Sequence, residues 1–482
     1  MSAFFESLRA ILSAMGPTVM LPIVVFIFAL ILGAKPGKAF RAGITIGIAF
    51  VGINLVIGLM WTSLSEVSHL IVGKTGVKLD AVDVGWPVAA SIAFGSSIGT
   101  FIIPLAIGVN VILLMIGATR TLNIDVWNFW HFAFVGSLLT VVTDNIWIGL
   151  IGATAATTLG LLLADFTAKS IQQQFDLPGI SITTASAHSF LLPAIPINAL
   201  LDKVPGLKDW NLDPDTIQKR LGVLGEPMML GLFLGGILGA IAFLPPAEGV
   251  TLTQAVIKVL ITAVNLAAVL LLLPRMVSIL MEGLTTISEA ARDFMAKRFK
   301  GRDLYLGLDA AILIGHPSTL AASLILIPIT IVLAIILPGN RMMPFADFAA
   351  IPFFVCMLVP ITRGNVVRMV ILGTIGAAAG LYMASWMAPL QTEAAMKINS
   401  SVVPEGASLI TNMGDGWVST VWALVAPASG WGSVAGAIWI LAVIALSVAL
   451  LYLVNKSKYT KKCEELSGAR TNSGNEDAIQ MI

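Results

Sequence analysis

Charge is the scarcest property of this sequence. Of its 482 residues, 11% are charged and 57% are hydrophobic, whereas an ordinary soluble domain carries about 25% charged residues. This number of charged residues is too small for the water-exposed surface of a soluble protein of this length. Apolar runs of roughly 18–22 residues recur along the chain, and each is long enough to cross the ~30 Å hydrocarbon core of a bilayer. The sequence therefore predicts an all-α polytopic membrane protein.

Other absences narrow the function. Two cysteines, Cys356 and Cys463, are too few for a disulfide framework or a cysteine-based metal cluster. A Walker A loop is missing, which argues against an ATP-driven pump, and neither a Cys/His metal spacing nor a Ser/His/Asp set supports a membrane hydrolase. The net charge of +1 gives no sign of a nucleic-acid partner. We predict no catalytic residue, no metal site and no cofactor.

About eleven spanning helices are predicted, and loop charge sets their orientation. Basic residues mark short cytoplasmic loops, and they occur at 35–41, at Arg120, at 292–302 and in the tail at 456–462. The alternation places the N-terminus outside and the C-terminus in the cytoplasm, across a bacterial inner membrane. The predicted segments are 16–34, 42–61, 98–118, 129–142, 146–164, 222–244, 251–273, 318–338, 345–360, 366–387 and 433–455.

Sequence landmarks recur in the same order in the two halves. LDAVDVGWP at 79–87 recurs as LDAAILIGHP at 308–317, and TDN at 143–145 recurs as TRGN at 362–365. With five crossings in each half, the second half begins on the opposite side of the membrane from the first. This arrangement is an inverted-topology 5+5 repeat. The predicted units are a first repeat at 1–202 (scaffold helices 16–61, core elements 80–201), a cytoplasmic linker at 203–221, a second repeat at 222–387 (scaffold helices 222–273, core elements 306–387), an extracytoplasmic loop at 388–432, a last helix at 433–455 and a cytoplasmic tail at 456–482.

Three stretches are too polar to span and too apolar for ordinary loops: 80–97, 180–201 and 306–317. Irregular backbone at membrane depth is tolerated only where protein or a water-filled cavity surrounds it. We therefore expect re-entrant hairpins that line a substrate path. The amphipathic segments 64–73 and 280–299 are expected to form separate interfacial helices.

Polar residues within these membrane segments are the candidate substrate ligands. Asp83 and Asp309 are equivalent by repeat, and a carboxylate there accepts hydrogen bonds from two vicinal hydroxyls; a helix N-cap is the alternative. His131 in an apolar helix offers one donor and one acceptor, with a buried structural histidine as the alternative. The predicted substrate-binding residues are Asp83, Trp86, His131, Asp144, Asn145, Thr184, Ser186, His188, Asp309, His316 and Asn365.

Several motifs resemble those of one known family. DVGWP at 83–87, VWNFWHFAF at 126–134, GLDAAILIGHPSTLAASL at 307–324, PGN at 338–340 and RGN at 363–365 are similar to the galactitol-specific IIC permeases of the bacterial phosphotransferase system. The resemblance implies a sugar-alcohol permease, the transport component of a phosphotransferase with no phosphorylated residue of its own. It also implies partner proteins, because phosphate passes from a separate IIA protein to a separate IIB protein and then to the sugar.

The sequence resembles the ascorbate IIC permeases more remotely. That resemblance implies a homodimer in which a scaffold domain holds a moving core domain that carries the substrate like an elevator. It also implies that His131, Asp309 and the polar hairpin around Thr184 hold the substrate. An ion-coupled secondary transporter, with Asp83 and Asp309 as proton or sodium sites, is the alternative hypothesis.

Overall fold

Long apolar runs fold as helices because a backbone surrounded by lipid must satisfy its hydrogen bonds within the segment. The structure is a computed structural model, and it is mostly helical. It describes residues 22–23, 26–27, 29–31, 33–75, 80–83, 86, 89–90, 92–93, 96–125, 128–205, 210, 227–298, 304–344, 347, 350–398, 409–413, 418–456 and 458–470.

Some helices match the predicted apolar segments closely and others run well beyond them, and a short 3₁₀ turn lies at Ser186–His188. Their bounds are α1 Pro36–Thr75, α2 Ser97–Met115, α3 Phe129–Thr143, α4 Ile146–Gln174, α5 Leu191–Leu201, α6 Pro227–Phe243, α7 Leu252–Arg298, α8 Ala311–Ile314, α9 Pro317–Ile336, α10 Ile351–Val355, α11 Leu358–Thr362, α12 Val366–Ile398, α13 Val418–Trp431, α14 Ser433–Lys456 and α15 Thr460–Leu466.

Among the described residues, five helical segments are long and apolar enough to cross a bilayer. They confirm a membrane protein with several spanning helices, while the count of eleven stays a prediction. The predicted segment 16–34 lies largely outside the described residues. The five segments are Ile146–Gln174, Leu252–Val269, Pro317–Ile336, Val366–Lys397 and Ser433–Lys456.

Two helices are much longer than a bilayer crossing requires. α1 has 40 residues and α7 has 47, about 60 Å and 70 Å at 1.5 Å per residue. The prediction of separate interfacial helices at 64–73 and 280–299 is therefore wrong, because these segments continue α1 and α7. Residues 60–66 contain neither Gly nor Pro, so nothing in the sequence ends the first helix there.

Small residues bring α6 close to α7. A Cβ atom on Gly231 would lie 2.7 Å from the Leu266 carbonyl oxygen, and one on Gly235 would lie 2.8 Å from the Thr262 carbonyl oxygen. Close backbone approach at small residues is how helices associate in a membrane, where no hydrophobic force drives them together. The contact fixes α6 along the first half of α7.

Two parts of the second half differ from the sequence expectation. The predicted spanning segment 345–360 contains two short helices, α10 and α11, in its described part. The predicted loop at 388–432 contains the end of α12, a strand at Leu409–Thr411 and α13. Its strand and helix resemble the strand and helix at 180–201 in the first half.

Six short strands among the described residues correct the all-α expectation. They are too short, at two to four residues, to leave an alternating pattern in the sequence. They form two parallel three-stranded sheets, ordered β5-β1-β6 and β2-β4-β3. The strands are β1 Ala81–Asp83, β2 Thr121–Asn123, β3 Ile180–Ile182, β4 Tyr305–Leu308, β5 Met342–Met343 and β6 Leu409–Thr411.

Candidate substrate site

The sheet β2-β4-β3 gathers polar residues at one edge. Its strands are parallel, so their carboxyl ends meet on the same side of the sheet. Asp125 follows β2, Asp309 follows β4 and Thr184 follows β3. Side chains from three distant parts of the chain therefore converge there.

Asn128 joins the two carboxylates. Its Nδ2 atom donates to Asp125 Oδ2 at 2.7 Å and to Asp309 Oδ2 at 2.7 Å. Thr184 Oγ1 accepts from the Ala310 N–H at 2.7 Å and donates to Asp309 Oδ1 at 3.3 Å. The carboxylate of Asp309 is therefore fixed in position from both sides.

His131 and Trp130 lie beside this cluster at the start of α3. His131 Nδ1 is 2.9 Å from the Asn128 carbonyl oxygen; because a carbonyl only accepts, Nδ1 carries the proton. The imidazole stacks on the Trp130 indole with ring centroids 4.0 Å apart and an interplanar angle of 22°. His131 is also within electrostatic range of Asp309. One polar cluster thus includes His131, Thr184 and Asp309 from the predicted set.

Two buried atoms of this cluster have no hydrogen-bond partner in the described structure: Asp125 Oδ1 and Trp130 Nε1. The first is an acceptor and the second a donor. Leaving such an atom unpaired costs about 1–3 kcal/mol. Burial raises the pKa of Asp125 well above its ordinary value, and the negative charge of Asp309 raises it further. The arrangement can pair with hydroxyl groups, which both donate and accept.

The described residues contain no group of three or more His, Cys, Asp or Glu side chains that would hold a metal ion. The polar cluster has two carboxylates and otherwise amide, hydroxyl and imidazole groups.

Known proteins are similar in sequence to this chain over most of its length. The family model described as "PTS system sugar-specific permease component" matches residues 10–406. The chain belongs to this family. The permease is 39% identical to the "PTS system galactitol-specific EIIC component" of Escherichia coli K12 and to that of Escherichia coli O157:H7, over 88% of this chain and 90% of each relative. It is also 39% identical to a "Putative permease IIC component" of Escherichia coli K12, over 82% of this chain and 88% of the relative.

His188 and Ser186 of the permease lie behind Thr184. His188 Nδ1 is 3.0 Å from the Thr184 carbonyl oxygen, and its Nε2 is 3.4 Å from Thr167 Oγ1. The carbonyl of Ser186 accepts a hydrogen bond from the Ser189 hydroxyl. These contacts support the segment that carries Thr184.

Asp83 is the last residue of β1 in the other sheet, β5-β1-β6, and Trp86 lies three residues further along the chain. Asp83 Oδ2 accepts from the Asp347 N–H at 2.9 Å, and Asp347 Oδ1 accepts from the Trp86 N–H at 3.2 Å. The structure therefore places Asp83 and Asp309 in two separate hydrogen-bonded clusters.

The remaining predicted residues shape turns and helix ends. Asp144 is exposed, and its backbone has a left-handed conformation with φ 48°. Asn145 caps α4, because its Oδ1 atom accepts a hydrogen bond from the Trp147 N–H at 2.9 Å. His316 caps α9, where its Nδ1 accepts from the Ser318 N–H at 3.2 Å.

Asn365 stands at the corresponding position before α12. Its Oδ1 accepts from the Arg368 N–H at 3.1 Å, and its Nδ2 donates to the Trp210 carbonyl at 2.9 Å. Arg368 forms an ion pair with Asp202 at 2.7 Å. Asn365 therefore connects the turn before α12 to the region that follows α5.

Sequence reasoning missed Asp125 and Asn128. Asp125 precedes the predicted spanning segment and follows Arg120, so it was assigned to a loop. A spacing of three residues links Asp125, Asn128 and His131, and residues three apart lie on one side of a helical turn. That spacing is the signal that could have found them.

Proposed function

We propose that the permease is the galactitol-type IIC component of a phosphotransferase system and binds a sugar alcohol at the β2-β4-β3 strand ends. The observation that carries this is the pair of unpaired buried atoms, Asp125 Oδ1 and Trp130 Nε1, in a polar cluster that Asn128 already orders. A polyol hydroxyl donates to the first and another accepts from the second. The galactitol in the names of two relatives supports the substrate class.

The ligands in this proposal are Asp125, Asn128, Trp130, His131, Thr184 and Asp309. Stacked His131 and Trp130 rings form a flat wall beside the polar groups, suited to the C–H face of a polyol. Of the other predicted residues, Asp83, Trp86, Asp144, Asn145, Ser186, His188, His316 and Asn365 support turns, helix ends or neighbouring segments.

The same proposal includes an inverted repeat with a scaffold and a moving core, eleven crossings, a homodimer, an external N-terminus and a cytoplasmic C-terminus. The order of elements supports the repeat, because β1-α2-β2-α3-α4-β3 is matched by β4-α8/α9-β5-α10/α11-α12-β6. The turns before α4 and α12 each hold a left-handed residue, Asp144 at φ 48° and Arg363 at φ 54°.

Energy for accumulation comes from partner proteins in this proposal. Cys356 is buried, which does not suit it to accept phosphate from another protein. A separate IIB protein, charged by IIA, phosphorylates the polyol on the cytoplasmic side and traps it. A ligand alone shifts the equilibrium between inward and outward states only by its differential affinity for them.

Vesicles reconstituted with this chain alone test the proposal. With an imposed proton or sodium gradient, we expect radiolabelled galactitol to equilibrate without accumulating. Adding a phosphorylated IIB protein inside the vesicles should produce galactitol phosphate. Uphill uptake that an ionophore abolishes would instead establish an ion-coupled secondary transporter.

A further inference from the structure

Side chains of the two outer strands meet across the central strand of the sheet β2-β4-β3. Strands β2 and β3 are not neighbours, because β4 lies between them. Asn123 of β2 nevertheless accepts at Oδ1 from the hydroxyl of Thr183, which follows β3, at 3.1 Å. Two residues earlier in both segments, Thr121 Oγ1 lies 2.9 Å from Ser181 Oγ. These two pairs form a cross-strand link between β2 and β3.

Gly307 of β4 makes room for the cross-strand link. Its Cα atom pairs with that of Asn123 on one side and with that of Ser181 on the other. A Cβ atom on Gly307 would lie 2.5 Å from Thr183 Cγ2 and 3.0 Å from Thr121 Cγ2. A glycine within a strand often marks such a close approach. Any other residue at this position would push the linked side chains apart.

The cross-strand link lies directly before two of the proposed ligands. Asp125 is two residues beyond Asn123, and the Asp125 N–H donates to Asn123 Oδ1 at 3.0 Å. Thr184 follows Thr183 immediately. Both Asn123 and Thr183 are buried. One oxygen atom of Asn123 therefore holds the turn that carries Asp125 and the segment that carries Thr184.

Asn110 of α2 holds β2 from its outer side. Its Nδ2 atom donates to the Thr121 carbonyl at 2.8 Å, and its Oδ1 atom accepts from the Asn123 N–H at 2.9 Å. Backbone groups left unpaired are costly in a membrane, and β2 is an edge strand of its sheet. The Asn110 amide pairs with this edge in place of a further strand. The position of β2 is thus fixed from both sides.

A fixed distance between ligands is what separates one hexitol from its stereoisomers. Such isomers have the same number of hydroxyl groups and nearly the same size, and they differ in the direction in which individual hydroxyls point. Movable ligands would adapt to either isomer. Fixed ligands leave a buried polar atom unpaired when a hydroxyl points elsewhere, and this loss is the basis of discrimination.

We propose that Asn123 and Thr183 are positioning residues for the substrate site. Through the cross-strand link over Gly307, they fix the separation of Asp125 and Thr184, and this separation sets the preference of the permease for one hexitol isomer. The inference rests on the function proposed above, and it adds residues that are not among the ligands of that proposal.

Competition between hexitols tests the cross-strand link. Purified full-length permease in lipid nanodiscs binds radiolabelled galactitol, which unlabelled galactitol, mannitol or sorbitol displaces. The ratio of the mannitol Kd to the galactitol Kd measures the preference. Thr183→Val is nearly isosteric but has no hydroxyl, so we expect the galactitol Kd to rise about tenfold and the ratio to fall about fivefold. Thr183→Ser keeps the hydroxyl and should retain the wild-type ratio.

Gly307→Ala tests the same arrangement from the central strand. The new methyl group would separate the linked side chains, so the ratio should fall at least as far as in Thr183→Val. Thr157→Val is the matched control, because the buried Thr157 hydroxyl donates to the Ala153 carbonyl of its own helix. This control should keep the wild-type ratio.

Thermal unfolding separates positioning from a role in stability alone. A lower Tm in Thr183→Val, with all three hexitols weakened equally and the ratio unchanged, would overturn the proposal. Asn123→Ser is measured as well, and it replaces Thr183→Val if that variant does not fold. A serine accepts from the N–H two residues further on but does not reach Thr183, so the same fall in the ratio is expected. This variant leaves the 3.4 Å contact between the Thr183 hydroxyl and the Leu308 carbonyl intact.

The outcomes also distinguish this inference from the proposed function. Galactitol binding that is lost in His131→Ala, together with a wild-type ratio in Thr183→Val and Asn123→Ser, would overturn the positioning role and leave the proposed function standing. A wild-type permease that binds none of the three hexitols would overturn both. A ratio that falls in Thr183→Val and is retained in Thr183→Ser would support the positioning role.

Discussion

The two three-stranded sheets share a strand pattern but differ in how their carboxylates are held. At β2-β4-β3, the side chain of Asn128 bridges Asp125 and Asp309. At β5-β1-β6, backbone N–H groups bind the carboxylates of Asp83 and Asp347. A side-chain bridge depends on one residue's identity, whereas a backbone donor is present whatever the side chain. The first cluster should therefore be far more sensitive to substitution than the second.

The largest effect is expected at Asn128. In Asn128→Ala, two neighbouring buried carboxylates lose their shared donor, and we expect galactitol affinity to fall by about 3 kcal/mol, roughly 100-fold. Isothermal calorimetry on the purified permease measures it.

A second substitution sharpens this prediction. Asp125→Asn in the Asn128→Ala background removes one of the two charges and supplies an amide, so part of the affinity should return. An unchanged affinity in Asn128→Ala would show that the bridge does not order the pocket.

Matched substitutions at the two central strands compare the clusters directly. In Asp309→Asn, an NH2 group replaces one of the two oxygens, of which Oδ2 accepts from Asn128 and Oδ1 accepts from Thr184. One of these hydrogen bonds is lost, and we expect about 2 kcal/mol weaker galactitol binding. In Asp83→Asn, the remaining amide oxygen still accepts from the Asp347 N–H. That variant should lose less than about 1 kcal/mol of affinity for galactitol.

Equal losses in Asp309→Asn and Asp83→Asn would contradict the distinction between side-chain and backbone anchoring. Circular dichroism of both variants, compared with wild type, serves as the folding control.

His131 should show an intermediate effect that depends on hydrogen-bonding capacity. His131→Ala leaves a substrate hydroxyl unpaired, a loss of ~1–3 kcal/mol, whereas His131→Gln keeps a donor and an acceptor and should retain much of the uptake. Uptake into vesicles that contain the complete phosphotransferase system measures both. Equal, mild effects would make His131 a packing residue.

The sequence predicted the long helices well because continuous apolar runs leave a strong local signal. The predicted segments 129–142 and 433–455 are the helices 129–143 and 433–456. The sequence did not predict the strands, because two to four residues are too few to show the alternating pattern of a strand. Their pairing also joins segments as distant as Ala81 and Leu409.

The candidate site was predictable only in part for the same reason. His131, Thr184 and Asp309 were found because polar residues are rare in apolar surroundings, and the structure brings them together. Asp125 owes its position to the β2-β4 pairing, which no local pattern encodes. The bridge by Asn128 likewise appears only when distant strand ends meet.

The smallest effect is expected at the amino-terminal ends of two outer strands, β2 and β5. Each of these strands follows an arginine. Arg120, before β2, donates from Nε to Asn455 Oδ1 at 2.6 Å and stacks 4.9 Å from the Tyr305 ring centroid. Arg341, before β5, forms an ion pair with the half-exposed Asp80. The hydrogen bond from Arg341 lowers the pKa of Asp80 below its ordinary value.

A lowered pKa means that the Asp80–Arg341 pair stabilises the fold above the unfolded-state pKa of about 3.9. This stabilisation is lost as the pH falls through the still lower folded-state pKa. Exposed pairs contribute little, so Asp80→Asn should change the free energy of unfolding by about 0.5 kcal/mol or less at pH 7. Denaturant unfolding in detergent at pH 7 and at pH 3 measures this change in the free energy of unfolding, and Arg341→Gln is the matched control. A larger loss in Asp80→Asn than in Arg341→Gln would show that Asp80 supports β1 through more than this pair.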